Sequence, residues 1–196
     1  MANIFILGSG GFGTALAVMA HKYGQKVTLW SAFQEEIDEI RFHGENKKKL
    51  PGVAVDLSID LTSDITGVKE ADIAIIAVPS FAIRSVAGQL KDVIAPQTIV
   101  VNVGKGLEAD SLKRFSEVIA EELPKNAVVV LSGPSHAEEI ARGVPTTIVA
   151  SSKCRKSAEY IQEHLGNETL RIYVNDDTIG VELGGALKNI IALCAG

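Results

Sequence analysis

Short, mainly apolar runs alternate along this chain with stripes of apolar residues at helical spacing. The runs predict strands, and they lie at residues 4–7, 26–30, 72–78, 98–101, 127–131, 146–150 and 170–174. The stripes predict amphipathic helices between the runs, of which two are clear: Ile83, Val86, Ala87 and Leu90, and then Leu112, Phe115, Val118 and Ile119. Because strand and helix alternate, we expect an α/β fold with a mostly parallel sheet and helices on both of its faces.

A glycine-rich turn joins the first strand to the first helix. Gly8, Gly10 and Gly13 form the pattern G-x-G-x-x-G between an apolar run and a helix-prone stretch. Gly8 allows the tight turn, Gly10 lets a pyrophosphate approach the backbone, and Gly13 lets the helix pack closely on the strand. The helix N-terminus adds N–H donors for phosphates. This context favours a doubly wound Rossmann-type domain with a dinucleotide site over a turn that is merely structural.

The last stretch carries a long apolar stripe at helical spacing, formed by Leu183, Ala186, Leu187, Ile190, Ile191 and Cys194. A wide apolar face needs a partner surface to cover it. We expect further helices beyond residue 196 to provide this cover. The alternatives are a helix that docks back on the sheet, or one that forms a homodimer.

Composition narrows the class of protein. The hydrophobic share is 46% and the charged share 22%, which is ordinary for a globular chain. A net charge of -5 without a basic stripe argues against nucleic acid as a partner. The sequence shows no signal peptide and no apolar run long enough to span a membrane, so we expect a cytoplasmic protein. Cys154 and Cys194 lack metal-like spacing, and we expect buried free thiols and no metal.

Several segments together resemble the bacterial-type NAD(P)-dependent glycerol-3-phosphate dehydrogenases. They are GSGGFGTALA from Gly8, LPG at 50–52, VPS at 78–80 with Arg84, KGLE from Lys105, LSGPSHAE at 131–138, PTT at 145–147 and GVELGGALKN at 180–189. The resemblance implies reversible hydride transfer between dihydroxyacetone phosphate and sn-glycerol 3-phosphate, which feeds glycerophospholipid synthesis. It also implies a dinucleotide-binding domain over residues 1–178, with residues 179–196 opening a C-terminal helical substrate domain.

The resemblance also assigns site residues. The cofactor-binding positions are Gly8, Gly10, Gly11, Phe12, Gly13, Pro79, Phe81, Lys105 and Ala137. The substrate-binding positions are Lys105, Gly133, Ser135 and Lys188. We expect Lys188 to transfer the proton and Lys105 to be its catalytic electrostatic companion, because a neighbouring cation lowers the pKa of a lysine. The alternatives are turn chemistry and core packing for Pro79 and Phe81, a solvated loop for Lys105 and substrate anchoring alone for Lys188.

The choice between NAD and NADP rests on the residues after the second strand. An acidic residue there accepts the ribose hydroxyl of NAD, and an arginine binds the 2′-phosphate of NADP. This chain has Ser31, Ala32 and Phe33, which are neither, whereas the family often has arginine at 32 or 33. NAD is therefore favoured. The basic run Lys47 to Lys49 is either a solvated loop or a contact to a cofactor phosphate.

Two rival functions remain open at this point. A related hydroxyacid or 6-phosphogluconate-type dehydrogenase shares the layout, but the segments GVELGGALKN and LSGPSHAE argue against it. A non-catalytic module that senses a nicotinamide dinucleotide would carry a DNA-binding or effector segment, and the sequence shows none.

Overall fold

The computed structural model describes residues 1–196 apart from the side chain of Asn189. The strands are β1 Asn3–Leu7, β2 Lys26–Trp30, β3 Asp60–Thr62, β4 Ile73–Ile76, β5 Ile99–Asn102, β6 Val128–Ser132, β7 Thr146–Ser152 and β8 Leu170–Asn175. The helices are α1 Gly11–Lys22, α2 Gln34–His43, α3 Ile83–Leu90, α4 Phe115–Glu122, α5 Ala137–Arg142, α6 Arg155–Leu165 and α7 Thr178–Ala195. Two 3-10 helices span Ile65–Glu70 and Ser80–Ala82.

All eight strands form one sheet in the order β3-β2-β1-β4-β5-β6-β7-β8. Every pair is parallel except β6 with β7, which is antiparallel. The predicted doubly wound, mostly parallel fold is confirmed. The apolar pattern missed β3, a three-residue strand at the edge of the sheet with no buried residue, so it has no apolar run to reveal it.

The sheet separates two apolar layers. Along β1, Ile4 and Ile6 point into the layer covered by α1 and α6, whereas Phe5 and Leu7 point into the layer covered by α3 and α4. Successive side chains of a strand face opposite sides, so a strand covered on both faces is apolar throughout. This is why the buried strands appear as unbroken apolar runs.

Two details of the sequence interpretation are wrong. Leu112 does not belong to the apolar face of α4, because it has a left-handed φ of 56° and is 71% exposed. The helix begins at Phe115, after Arg114, whose extended backbone is stabilised by a capping box with Glu117. The two cysteines, expected to be buried, are both exposed.

Cys154 and Cys194, the two exposed cysteines, lie at the ends of helices. Cys154 lies at the N-cap of α6, and Cys194 lies in the last turn of α7, on the stripe that the chain leaves uncovered. Helical spacing placed Cys194 correctly on the apolar stripe, but spacing alone does not say whether a stripe is covered.

The predicted apolar helix is α7. Its first half contacts β6 and β7, whereas Leu187, Ile190 and Ile191 in its second half are exposed. Within the part of the chain that the structure describes, no helix combines the length and the apolarity that a membrane crossing requires.

Candidate active site

The glycine turn after β1 is held by very close backbone contacts. Gly8 has a φ of +122°, and a Cβ on it would lie 2.6 Å from the carbonyl oxygen of Ala77. A Cβ on Gly13 would lie 2.0 Å from the carbonyl oxygen of Gly8. Neither position can hold a larger residue without moving the backbone. The turn therefore has the conformation expected at Gly8 and the close helix–strand approach expected at Gly13.

Gly10 differs from its neighbours, because the space beside it is open. The nearest atom to a Cβ built on Gly10 is the Ala77 oxygen, at 4.0 Å. Gly10 is also the N-cap of α1, and no side chain among the described residues caps that helix end. Open space beside uncapped N–H groups is what an incoming pyrophosphate requires. The turn therefore fits a dinucleotide.

A cleft of about 290 Å³ lies at the carboxyl ends of β1, β4 and β5. It is lined by Phe12, Ala77, Val78, Val103, Gly104 and Lys105. The strand order reverses between β1 and β4, and ligands of open α/β sheets bind at such a reversal. Of the predicted cofactor positions, the structure thus brings Phe12 and Lys105 together.

The other predicted cofactor positions lie around this cleft. Ala137, at the start of α5, lies against Gly11, where the two Cβ positions would be 3.8 Å apart. Pro79 and Phe81 follow Val78 on an exposed turn and do not line the cleft. Phe81 is 88% exposed, so core packing is wrong for this residue, which lies in the 3-10 turn Ser80–Ala82.

Lys105 reaches from the end of β5 to the end of β6. Its Nζ donates a hydrogen bond to the carbonyl oxygen of Gly133 at 3.2 Å. Burial lowers the pKa of Lys105, and the positive charge of Lys188 lowers it further. Ser135 adds a weak hydrogen bond to the same Gly133 oxygen, at 3.5 Å. The four predicted substrate positions therefore lie in one neighbourhood.

Lys188 lines a second cleft, of about 300 Å³, between α7 and the ends of β6 and β7. Gly133, Gly184 and Gly185 line the same cleft. A Cβ on Gly185 would lie 2.5 Å from the Ser132 Oγ and 3.9 Å from the Lys105 Cγ. The absence of a side chain at Gly185 thus lets α7 pack against the end of β6, directly before Gly133 and Ser135.

A buried carboxylate, which sequence reasoning missed, anchors α7. The Glu182 side chain is 5% exposed and accepts hydrogen bonds from Arg114 Nη1 at 3.0 Å, the Ser116 backbone N–H at 2.9 Å and the Ser116 Oγ at 2.5 Å. The contact caps α4 and fixes the helix that carries Lys188. Glu182 lies inside the GVELGGALKN segment, but no local pattern connects it to Arg114, 68 residues away.

A surface ion cluster holds the loop that follows Lys105. Arg84 donates to Glu108 through Nε and Nη2 and pairs with Glu121 and Glu122 on α4. The hydrogen bonds from Arg84 lower the pKa of Glu108 to about 2. The cluster therefore joins the loop after β5 to two helices.

Two further residues, which sequence reasoning missed, lie beside Ser9 of the glycine turn, in a small pocket separate from the two clefts. Asn46 is buried and donates to the Ser9 carbonyl oxygen at 2.8 Å and to the Thr14 Oγ1 at 2.9 Å, which ties the loop after α2 to the glycine turn. Glu36, on the first turn of α2, bonds to Ser9 and Ser31. An acidic residue some 20 positions after the glycine turn was the signal that could have pointed to Glu36.

Among the described residues, no group of acidic, histidine or cysteine side chains could hold a metal ion.

The chain is similar in sequence to known proteins along nearly its whole length. Residues 3–158 match the family model described as the NAD-dependent glycerol-3-phosphate dehydrogenase N-terminus. A Fusobacterium nucleatum protein named glycerol-3-phosphate dehydrogenase [NAD(P)+] is 47% identical over 199 residues, covering 100% of this chain and 59% of that protein. A Moorella thermoacetica protein of the same name is 49% identical over 195 residues, covering 99% of this chain and 58% of that protein.

A solved structure shows the same arrangement of elements. The crystal structure of glycerol-3-phosphate dehydrogenase from Coxiella burnetii superposes with a TM-score of 0.91 at 37% identity. The match covers 98% of this chain and 59% of that one. The chain thus spans less than two thirds of the length of these relatives.

Proposed function

Because this chain belongs to the NAD-dependent glycerol-3-phosphate dehydrogenase family, matching its N-terminal part, we propose that its protein interconverts dihydroxyacetone phosphate and sn-glycerol 3-phosphate. One observation supports this most directly: two lysines from distant parts of the chain, Lys105 and Lys188, approach each other beside Gly133. A nicotinamide dinucleotide bound at the glycine turn would supply or accept the hydride. The protein itself must then bind the substrate, orient it and move one proton.

We assign the proton transfer to Lys188 and electrostatic support to Lys105. Reduction of the carbonyl requires an acid at its oxygen, and oxidation of the alcohol requires a base at the same oxygen. Lys105 is held on the Gly133 carbonyl, next to the cleft that Lys188 lines. Its positive charge would stabilise negative charge that develops on the substrate oxygen. Gly133 and Ser135 would position the substrate, and the glycine turn with Phe12 and Ala137 would bind the dinucleotide.

The remaining parts of the proposal concern the surroundings of the site. We propose that residues 179–196 open a helical substrate domain and that residues 1–178 form the dinucleotide-binding domain. The exposed Leu187, Ile190 and Ile191 support this, since an apolar helix face is stable when another surface covers it. The protein would act in the cytoplasm on a small phosphate ester, with no nucleic acid partner, and a homodimer is the alternative cover for α7.

The test compares lysine variants in a dehydrogenase assay. The chain is fused to the part of the Fusobacterium nucleatum relative that lies beyond the match, and NADH oxidation with dihydroxyacetone phosphate is followed at 340 nm. Lys188→Ala should lower kcat by about 10²–10⁴ while NADH binding is retained. Lys105→Ala should raise KM and lower kcat. Lys156→Ala, an exposed lysine on α6, is the matched control and should change neither.

Two results would contradict the assignment. If Lys188→Ala raises KM with kcat preserved, Lys188 only binds substrate and another residue carries the proton. If the 196-residue chain alone turns over as fast as the fusion, the helical substrate domain is not needed. We expect the 196-residue chain to bind NADH but to turn over poorly, because binding of the substrate phosphate contributes to the rate.

A further inference from the structure

A single carboxylate joins the two turns that flank the proposed cofactor site on its β2 side. Glu36 Oε2 accepts hydrogen bonds from Ser9 Oγ at 2.5 Å and from Ser31 Oγ at 2.7 Å. Ser9 belongs to the glycine turn after β1, and Ser31 directly follows β2; both are buried. Glu36 reaches them from the first turn of α2, so its carboxylate lies above the carboxyl ends of β1 and β2.

Glu36 is also paired with a lysine. Its Oε1 accepts a hydrogen bond from Lys49 Nζ at 2.6 Å. Burial by itself raises the pKa of Glu36, but the hydrogen bonds from Lys49, Ser9 and Ser31 outweigh burial, and the pKa is lowered. The carboxylate is therefore ionised at neutral pH and is held in one place by three donors.

The rest of the basic run is engaged elsewhere along α2. Lys48 pairs with Glu39 at 2.8 Å, and Lys47 Nζ lies 3.2 Å from His43 Nδ1. The arginine of α2, Arg41, donates to Asp38 and to the Leu61 carbonyl oxygen rather than toward the turn after β2. Among the described residues, no arginine side chain contacts Ser31 or Glu36 through a hydrogen bond or ion pair.

In dinucleotide-binding domains, the carboxyl end of the second strand meets the adenosine ribose. An acidic side chain there accepts a hydrogen bond from the ribose 2′-hydroxyl, and an arginine pairs with a 2′-phosphate. We propose that Glu36 is the residue of this chain that selects NAD(H), by accepting the ribose 2′-hydroxyl and repelling the 2′-phosphate of NADP(H). This inference rests on the proposed dinucleotide site and adds the residue that determines its preference.

Lys49 does not reverse this preference. A 2′-phosphate carries a charge of about −1.5 to −2 near neutral pH, by analogy with other phosphate monoesters. If Lys49 also bound it, the phosphate would lie close to the Glu36 carboxylate, and a single lysine charge would face two anionic groups. A ribose hydroxyl is neutral and can donate to Glu36 while the Lys49 pair stays in place. Serine at position 31 leaves room for the Glu36 side chain to reach the end of β2.

The test is a fluorescence titration of the 196-residue chain with NADH and with NADPH. The wild-type chain should bind NADH more tightly. Glu36→Gln should reduce the ratio of the NADPH to the NADH dissociation constant by about tenfold to a hundredfold, which is the loss expected for one hydrogen bond to a charged group. Glu35→Gln, an exposed neighbour on the same helical turn, is the matched control and should leave the ratio unchanged. Glu36→Asp keeps the charge, shortens the reach and should give an intermediate ratio.

Melting temperatures without cofactor show whether each variant is folded before the ratio is compared. An unchanged ratio in folded Glu36→Gln, with both cofactors still bound, overturns the assignment of Glu36 and leaves the proposed function intact. Tighter NADPH binding by the wild type that disappears in Lys49→Met also overturns it, since Lys49 would then be a phosphate ligand. If the wild-type chain binds neither cofactor, the proposed function fails, and this inference fails with it.

Discussion

Removal of the Glu182 carboxylate should destabilise the whole domain. Glu182→Ala deletes the acceptor for the Ser116 backbone N–H, which costs about 1 kcal/mol as the loss of a helix cap. It also leaves the Arg114 guanidinium without its buried partner, and the loss of a charged hydrogen bond costs about 2 kcal/mol. Arg114 keeps its pair with Glu117, so the total should stay near about 3 kcal/mol, at the lower end for a broken buried ion pair.

This loss is measurable by urea and thermal unfolding. For a domain of this size, about 3 kcal/mol corresponds to a fall in Tm of about 6–12 °C. Circular dichroism follows the helices, and the fluorescence of Trp30, the single tryptophan, follows the distant β2 strand. The two probes should shift together, because the sheet and its helices unfold as one cooperative unit.

The control is Glu159→Ala, which removes an exposed ion pair with Arg155 on α6 and should leave Tm unchanged. A loss below about 1 kcal/mol in Glu182→Ala would refute the reasoning, since it would mean that water replaces the carboxylate without cost. A shift in circular dichroism without a shift in Trp30 fluorescence would also refute it, because α7 would then melt separately from the sheet.

Three further expectations follow from the geometry. Gly13→Ala should lower the free energy of unfolding by about 2 kcal/mol or more, because its methyl group would overlap the carbonyl oxygen of Gly8. Gly10→Ala, which has open space beside it, should keep Tm and weaken NADH binding about tenfold in a titration. Glu108 has a folded pKa of about 2 and an unfolded pKa near 4.5, so the stability it contributes is present above pH 4.5 and is lost as pH falls toward 2. Urea unfolding at a series of pH values should therefore show a smaller loss of stability between pH 4.5 and 2 in Glu108→Gln, which lacks the ion pair with Arg84, than in the wild type. Phe81→Ser should leave Tm unchanged because the ring is exposed, but should weaken NADH binding about three- to tenfold; unchanged binding would remove Phe81 from the cofactor site.

The proposed roles of Lys105 and Lys188 depend on the two side chains lying close together. Lys105 lies in the loop after β5 and Lys188 lies on α7, 83 residues later in the sequence. The pKa of Lys105 is lowered by burial and by the charge of Lys188. The resemblance of the KGLE and GVELGGALKN segments to one family named both residues, and the fold brings them together. Their chemical roles stay a prediction until the variants are assayed.

The sequence by itself determined the features that depend on neighbours in the chain. Strand runs such as Ile4 to Leu7, the conformation at Gly8 and the helical stripe of α7 follow from side-chain periodicity and from the steric freedom of glycine, which act over a few residues. Those signals were sufficient for the doubly wound fold and for the turn that would hold a dinucleotide.

The tertiary structure alone decided the contacts between residues that are far apart in the chain. Glu36 meets Ser9 across 27 residues and Glu182 meets Arg114 across 68, and neither contact follows from a local pattern. Likewise, the antiparallel direction of β7, the outward turn at Leu112 and the exposure of the cysteines depend on how complete elements pack. The physical reason is that periodicity indicates which face of an element is apolar, whereas the register and packing of distant elements set what each polar side chain contacts.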